Sequence, residues 1–159
     1  MAKAKLRNRE FMIAPRGSED GQAMLEFALL SPLLVLILLG ALELARVAFA
    51  AIEVSNAAKA AVQYGGQNHT TAADQAGMLA AAQQDAYDLT GLTLTLGPKS
   101  CVCSDGSAST CLPTDCASSY IEQTLTVTTQ AIFDPLIHLP GLPQTFTLNG
   151  YATQKVIQN

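Results

Sequence analysis

The stretch 21–44, "GQAMLEFALLSPLLVLILLGALEL", decides how the rest of the chain is read. Its central run, Phe27–Leu42, carries no charged residue over 16 positions. Apolar residues continue at Leu44, Ala45 and from Val47 to Ile52. A helix rises ~1.5 Å per residue, so about 20 such residues cross a ~30 Å hydrocarbon core. The run is longer than the roughly 7–15 residues of a secretory-signal core, and no A-x-A-like cleavage site closes it. It reads as a transmembrane anchor, with Phe27, Pro32, Gly40 and Leu42 in the span. Glu26 and Glu43 bracket it: they stand 17 residues apart, roughly 25 Å along a helix.

Outward from this run, charge predicts an orientation. Upstream lie Lys3, Lys5, Arg7, Arg9 and Arg16 against Glu10, Glu19 and Asp20. An excess of Lys and Arg on a short flank marks the cytoplasmic side, so the C-terminal part is expected outside. From Ala60 onward two lysines face seven acids, a formal charge of −5. An acidic outer part without a basic patch argues against nucleic acid as a partner. The 159 residues allow one modest domain beside the anchor. Only 14% are charged, against about a quarter in soluble domains, as a membrane-linked chain requires.

Beyond the bilayer the helix is predicted to continue to residue 64. Val47, Ala50, Val54, Ala57, Ala61 and Tyr64 recur at spacings of three and four, an apolar stripe. "GGQNHTT" (65–71) then stops it. Residues 71–89, rich in alanine and opened by Thr71 and Asp74, read as a second helix. The period then becomes two: 92–97, 120–133 and 145–157 alternate and are rich in Thr, Val, Ile and aromatic residues. "CSDGSASTCLPTDC" (103–116) and "DPLIHLPGLP" (134–143) read as surface loops. The expected class is α+β: a long N-terminal transmembrane helix continuing into a small extracytoplasmic domain with a second helix and a roughly three-stranded antiparallel sheet. The expected organisation is a basic leader (1–21), the helix (22–64) and the outer domain (65–159).

Cys101, Cys103, Cys111 and Cys116 lie within 16 residues. Their spacing superficially resembles a metal knuckle, but zinc sites favour C-x2-4-C pairs. An oxidising exterior favours disulfides instead. A Cys101–Cys103 ring would be strained, so each is expected to bridge to Cys111 or Cys116. No metal and no cofactor are expected. His69 and His138 stand alone in loop sequence, and no nucleophile elbow, phosphate loop or H-x-x-x-H pair occurs. The chain is therefore expected not to be an enzyme.

Glu26 has two readings. One is an interfacial acid reaching to water, where a carboxylate costs less than at the bilayer centre. The other is assembly: a cut after Gly21 would give Gln22 a free α-amino group, and the glutamate of one subunit could pair with the amine of a neighbour, setting register in a helix bundle.

Gly21, Glu26, Phe27, Ala28, Leu29, Pro32, Gly40 and Glu43, following a short basic leader, resemble class III prepilins. The closest resemblance is to the TadE-like family, pseudopilins of tight-adherence (Flp) pilus systems, over roughly residues 16–65. Gln22 departs from the aromatic or small residue that often begins such mature chains. The resemblance implies a minor pilin or pseudopilin of a bacterial inner membrane. It implies cutting between Gly21 and Gln22 by a prepilin peptidase, and register set by Glu26 and Phe27. The partners it implies are other pilin-like subunits, the pilus inner-membrane platform and membrane lipid. The alternative is a membrane-anchored periplasmic scaffold or adhesion protein that is neither processed nor built into a fibre.

Overall fold

The computed structural model describes residues 19–112, 114–138, 141 and 143–157. The leader cations from Lys3 to Arg16 lie outside the described residues. The chain divides into two units, one ending at Gly40 and the other running Ala41–Asn159. Helix α1 (Glu19–Gly65, 47 residues) supplies the described part of the first and begins the second.

In the first unit α1 is a lone apolar helix. Its side chains from Gly21 to Gly40 are exposed, apart from a partly covered Ser31. Pro32 has no N–H to offer the carbonyl of Ala28, four residues back. The Ser31 hydroxyl donates to that same carbonyl at 3.3 Å, one of the ways an apolar helix tolerates an internal proline.

The second unit is built around the other part of α1. Ala50, Val54, Ala57, Ala58, Ala61 and Val62 are buried against a sheet. The predicted stripe is this face, with Tyr64 packed at its edge. The helix stops at the two glycines, where the chain also passes close to its neighbours. A Cβ on Gly65 would stand 2.5 Å from Leu125 Cδ2 and 2.7 Å from Met78 Sδ.

The second helix differs from expectation. It is two helices, α2 (His69–Ala73) and α3 (Gln75–Asp85). Asn68 caps α2, accepting from the Thr70 and Thr71 amides, while its own amide donates to Thr71 Oγ1. Thr71 thus completes a capping box rather than opening the helix. Asp74 ends α2 and caps α3 through the Gly77 amide at 2.9 Å. Met78, Ala82 and Ala86 carry this layer into the core.

Among the described residues five strands form one antiparallel sheet, two more than expected: β1 (Thr93–Leu96), β2 (Ser100–Cys103), β3 (Ala108–Ser109), β4 (Ile121–Phe133) and β5 (Phe146–Ile157). β5 pairs with β4 from Glu122↔Ile157 to Phe133↔Phe146. The other edge of β4 takes β2 along Ile121–Thr124 and β1 along Val127–Gln130. β3 extends β2 outward. The odd-numbered residues of β4 are buried and the threonines between them are not, the alternation expected of a half-buried sheet. The two unforeseen strands fall in and beside the stretch read as loop. β2 alternates too, but its buried positions are Cys101 and Cys103 rather than branched residues.

Helix and sheet approach closely at one point. Thr129 Oγ1, buried, donates to the Val54 carbonyl at 2.7 Å. Gly150 lies against the same carbonyl, and a Cβ there would collide with it.

Candidate functional site

The chemistry-bearing residues fall in three places. The first is the upstream part of α1. Gly21 and Gln22 lie in its first turn, where amides lack intrahelical partners. Glu26 and Phe27 are exposed one turn on, and nothing lies within 4 Å of a Cβ built on Gly21 or Gly40. The span residues Phe27, Pro32, Gly40 and Leu42 present no group that could do chemistry. What they present is an apolar surface, from Met24 through Leu39 and Leu42, that is left exposed among the described residues. Gly21–Gly65 is one helix long and apolar enough to cross a membrane.

The second place is the start of the globular unit. The Glu43 carboxylate accepts from Arg46 at 3.2 Å, the pairing expected of residues three apart. Its Oε1 also accepts the Leu136 amide at 3.0 Å, from the loop between β4 and β5. The Arg46 guanidinium lies over the Phe133 ring, 5.3 Å from its centroid. A carboxylate that the sequence presents as a simple boundary is therefore a tie between helix and hairpin. Beside it a cleft of about 300 Å³ is lined by Phe49, Glu53, Asp88, Ile132 and Phe133 among others. Its mixture of acids and exposed apolar groups has the character of a surface groove.

The third place is the far end of β4. Cys101 bridges to Cys111 and Cys103 to Cys116, with Cα–Cα distances of 5.3 and 5.6 Å. Each early cysteine pairs with a late one, as the strain of a Cys101–Cys103 ring predicts. Asp115 organises the loop between. Its carboxylate accepts from the Thr110 hydroxyl and amide, the Ser109 hydroxyl and the Leu112 amide. Those bonds, the Thr110 hydroxyl first, hold its pKa below the ordinary carboxylate range. Among the described residues no group of three or more His, Cys, Asp or Glu side chains could hold a metal ion. His69 Nδ1 bonds the buried Gln123 at 3.0 Å, and His138 bonds Asp134 at 3.1 Å, so the two histidines are held in separate local contacts.

These observations leave the uncovered apolar helix as the feature that calls for a partner. The model of the family described as TadE-like protein matches residues 21–63. Over those residues the amino-terminal helix is similar to the TadE-like family. No curated protein and no solved structure matches the chain significantly. The TadE-like match ends just before Gly65, so it covers the span, the Glu43 tie and the helix face packed on the sheet. It takes in Gly21, Gln22, Glu26, Phe27, Pro32, Gly40 and Leu42, and omits the four cysteines.

Proposed function

We propose that this chain is a membrane-anchored minor pilin or pseudopilin that acts in assembly of a tight-adherence pilus or related secretion apparatus. The observation that carries the reading is the TadE-like match over 21–63, on a helix whose apolar surface from Met24 to Leu42 is exposed among the described residues. Such a helix is stable in lipid or against other apolar helices. In this reading it packs with pilin-like subunits and the inner-membrane platform, with Glu26 and Phe27 setting the register of the contact. The role is one of packing and needs no catalytic group. The basic leader is cytoplasmic and the globular unit extracytoplasmic, supported by the charge asymmetry and by two disulfides suited to an oxidising compartment.

A prepilin peptidase would cut between Gly21 and Gln22, giving Gln22 the free amine with which Glu26 of a neighbour pairs. Fraying of the first helical turn, whose amides are unpaired, would expose that bond. Mass spectrometry of the chain extracted from membranes tests the cut. A mature N-terminus at Gln22 is expected; an N-terminus at Met1 would leave an unprocessed anchored scaffold or adhesion protein. Replacing Glu26 by Ala tests register separately, since normal assembly of that variant would remove the role assigned to the glutamate.

A further inference from the structure

Loops that join the strands of a soluble hairpin ordinarily show polar side chains to water. The loop between β4 and β5 instead shows Leu136, 67% exposed, and Ile137, 40% exposed. Phe146, the first residue of β5, is exposed to a similar degree opposite Phe133. The position of this apolar tip is fixed. The Leu136 amide is bonded to Glu43, Glu43 is held by Arg46, and Arg46 lies over Phe133. The tip therefore stands level with Glu43, the first charged residue after the uncharged run Phe27–Leu42. Leu42 and Leu44, the neighbours of Glu43 on α1, are exposed as well. No lysine or arginine lies between Asp134 and Thr145 to hold that stretch off an apolar surface.

We infer that the tip of the β4–β5 hairpin is a second membrane contact, with Leu136 and Ile137 seated in the outer interface of the bilayer that α1 crosses. The inference rests on α1 crossing that bilayer. The interface accepts apolar side chains while its water and headgroups serve the backbone polar groups of an irregular loop. The Glu43–Leu136 bond is the positioning element that holds the loop at that level.

The opposite end of the unit supplies a control. Cys111 is bonded to Cys101, Cys101 pairs with Gln123, and Gln123 meets His69 just past the end of α1. From Glu43 to Gly65 the helix rises roughly 33 Å, which separates Leu112 from the loop tip.

The chain contains no tryptophan, so one introduced residue gives an unambiguous fluorescence signal. The full chain carrying Leu36→Trp, Leu112→Trp, Leu136→Trp or Ile137→Trp is reconstituted in phosphatidylethanolamine–phosphatidylglycerol vesicles, with and without brominated acyl chains. The probes at 36, 136 and 137 are expected to emit at shorter wavelength and lose most of their intensity to bromine, while the probe at 112 does neither. Quenching at 36 without quenching at 136 and 137 overturns the loop contact and leaves the anchor standing. The same result with a blue shift at 136 that grows with protein density overturns it in favour of contact between protein copies. Lack of quenching at 36 overturns the anchor and the loop contact together. Positions 112 and 136 are more than half exposed, so those two substitutions leave the core untouched.

Discussion

Between Met24 and Leu39 the apolar residues of α1 are mainly Leu, with Ile, Val, Met and Phe, and they are exposed; between Val54 and Val62 they are mainly alanine, and all but Ala60 are buried. The larger hydrophobes are thus the uncovered ones. The difference lies in what each stretch meets. Lipid chains conform to any apolar shape, so a helix in a bilayer needs hydrophobic area and little else. A helix on a sheet must fit it. Here the backbone of α1 comes close enough for Thr129 to bond the Val54 carbonyl and for Gly150 to lie against it. Only small side chains permit that approach, because protein interiors are packed as densely as organic crystals.

The contrast can be broken most severely in its upstream part. Replacing Ile37 by Arg puts a charge near mid-span, a cost of about 3 kcal/mol or roughly 100-fold in insertion. Carbonate extraction should then release the chain from membranes while its near-ultraviolet circular dichroism stays native. Gly150→Ala should do the reverse. The new methyl collides with the Val54 carbonyl, and thermal unfolding of the detergent-solubilised chain should show a loss of about 3 kcal/mol with membrane retention unchanged. Ala57→Leu, fully buried in the same seam, should cost about 2 kcal/mol by overpacking. An Ala57→Leu chain as stable as its parent would show that the seam is looser than its geometry indicates. Thr129→Val keeps the shape and removes the bond to a carbonyl that retains its helical partner, so about 1 kcal/mol is expected.

Acid should act on the globular unit and leave the span alone. Bonding holds Asp115 below its ordinary pKa, through Thr110 first, and Asp105 likewise, through Ser107 first. A carboxylate depressed in the folded state stabilises the fold above its unfolded pKa, and that contribution is lost as pH falls through the folded value. The disulfide loop should therefore loosen below about pH 4, seen as faster amide exchange at Thr110. Asp115→Asn should show the faster exchange already at neutral pH and a shallower acid response.

Residue patterns foretold much of this. The long apolar helix was legible because an uncharged run of that length admits few alternatives. The packed stripe was legible because Val54, Ala57 and Ala61 keep helical spacing, and β4 because threonines alternate with Leu125 and Val127 at its centre. The small strands were not. β3 has two residues, and β2 hides its buried face behind cysteines counted only as bridge formers. Reading Cys101 and Cys103 as alternating buried positions would have found β2. The break at Asp74 was missed because alanines flank it and favour one continuous helix; the cap that splits them depends on Asn68 and Gly77 offering partners in space.

Sequence by itself determined that this chain has a helix long and apolar enough to cross a membrane, similar over residues 21–63 to the TadE-like family, followed by an α+β unit carrying bridged cysteines. Those properties depend on local composition and period, which water and lipid read one segment at a time. Tertiary structure alone decided which cysteine joins which, that Gly150 must be glycine, and that Glu43 holds a loop 93 residues away in sequence. Each of these depends on a contact between distant segments, and no local pattern encodes such a contact until the chain has closed upon itself.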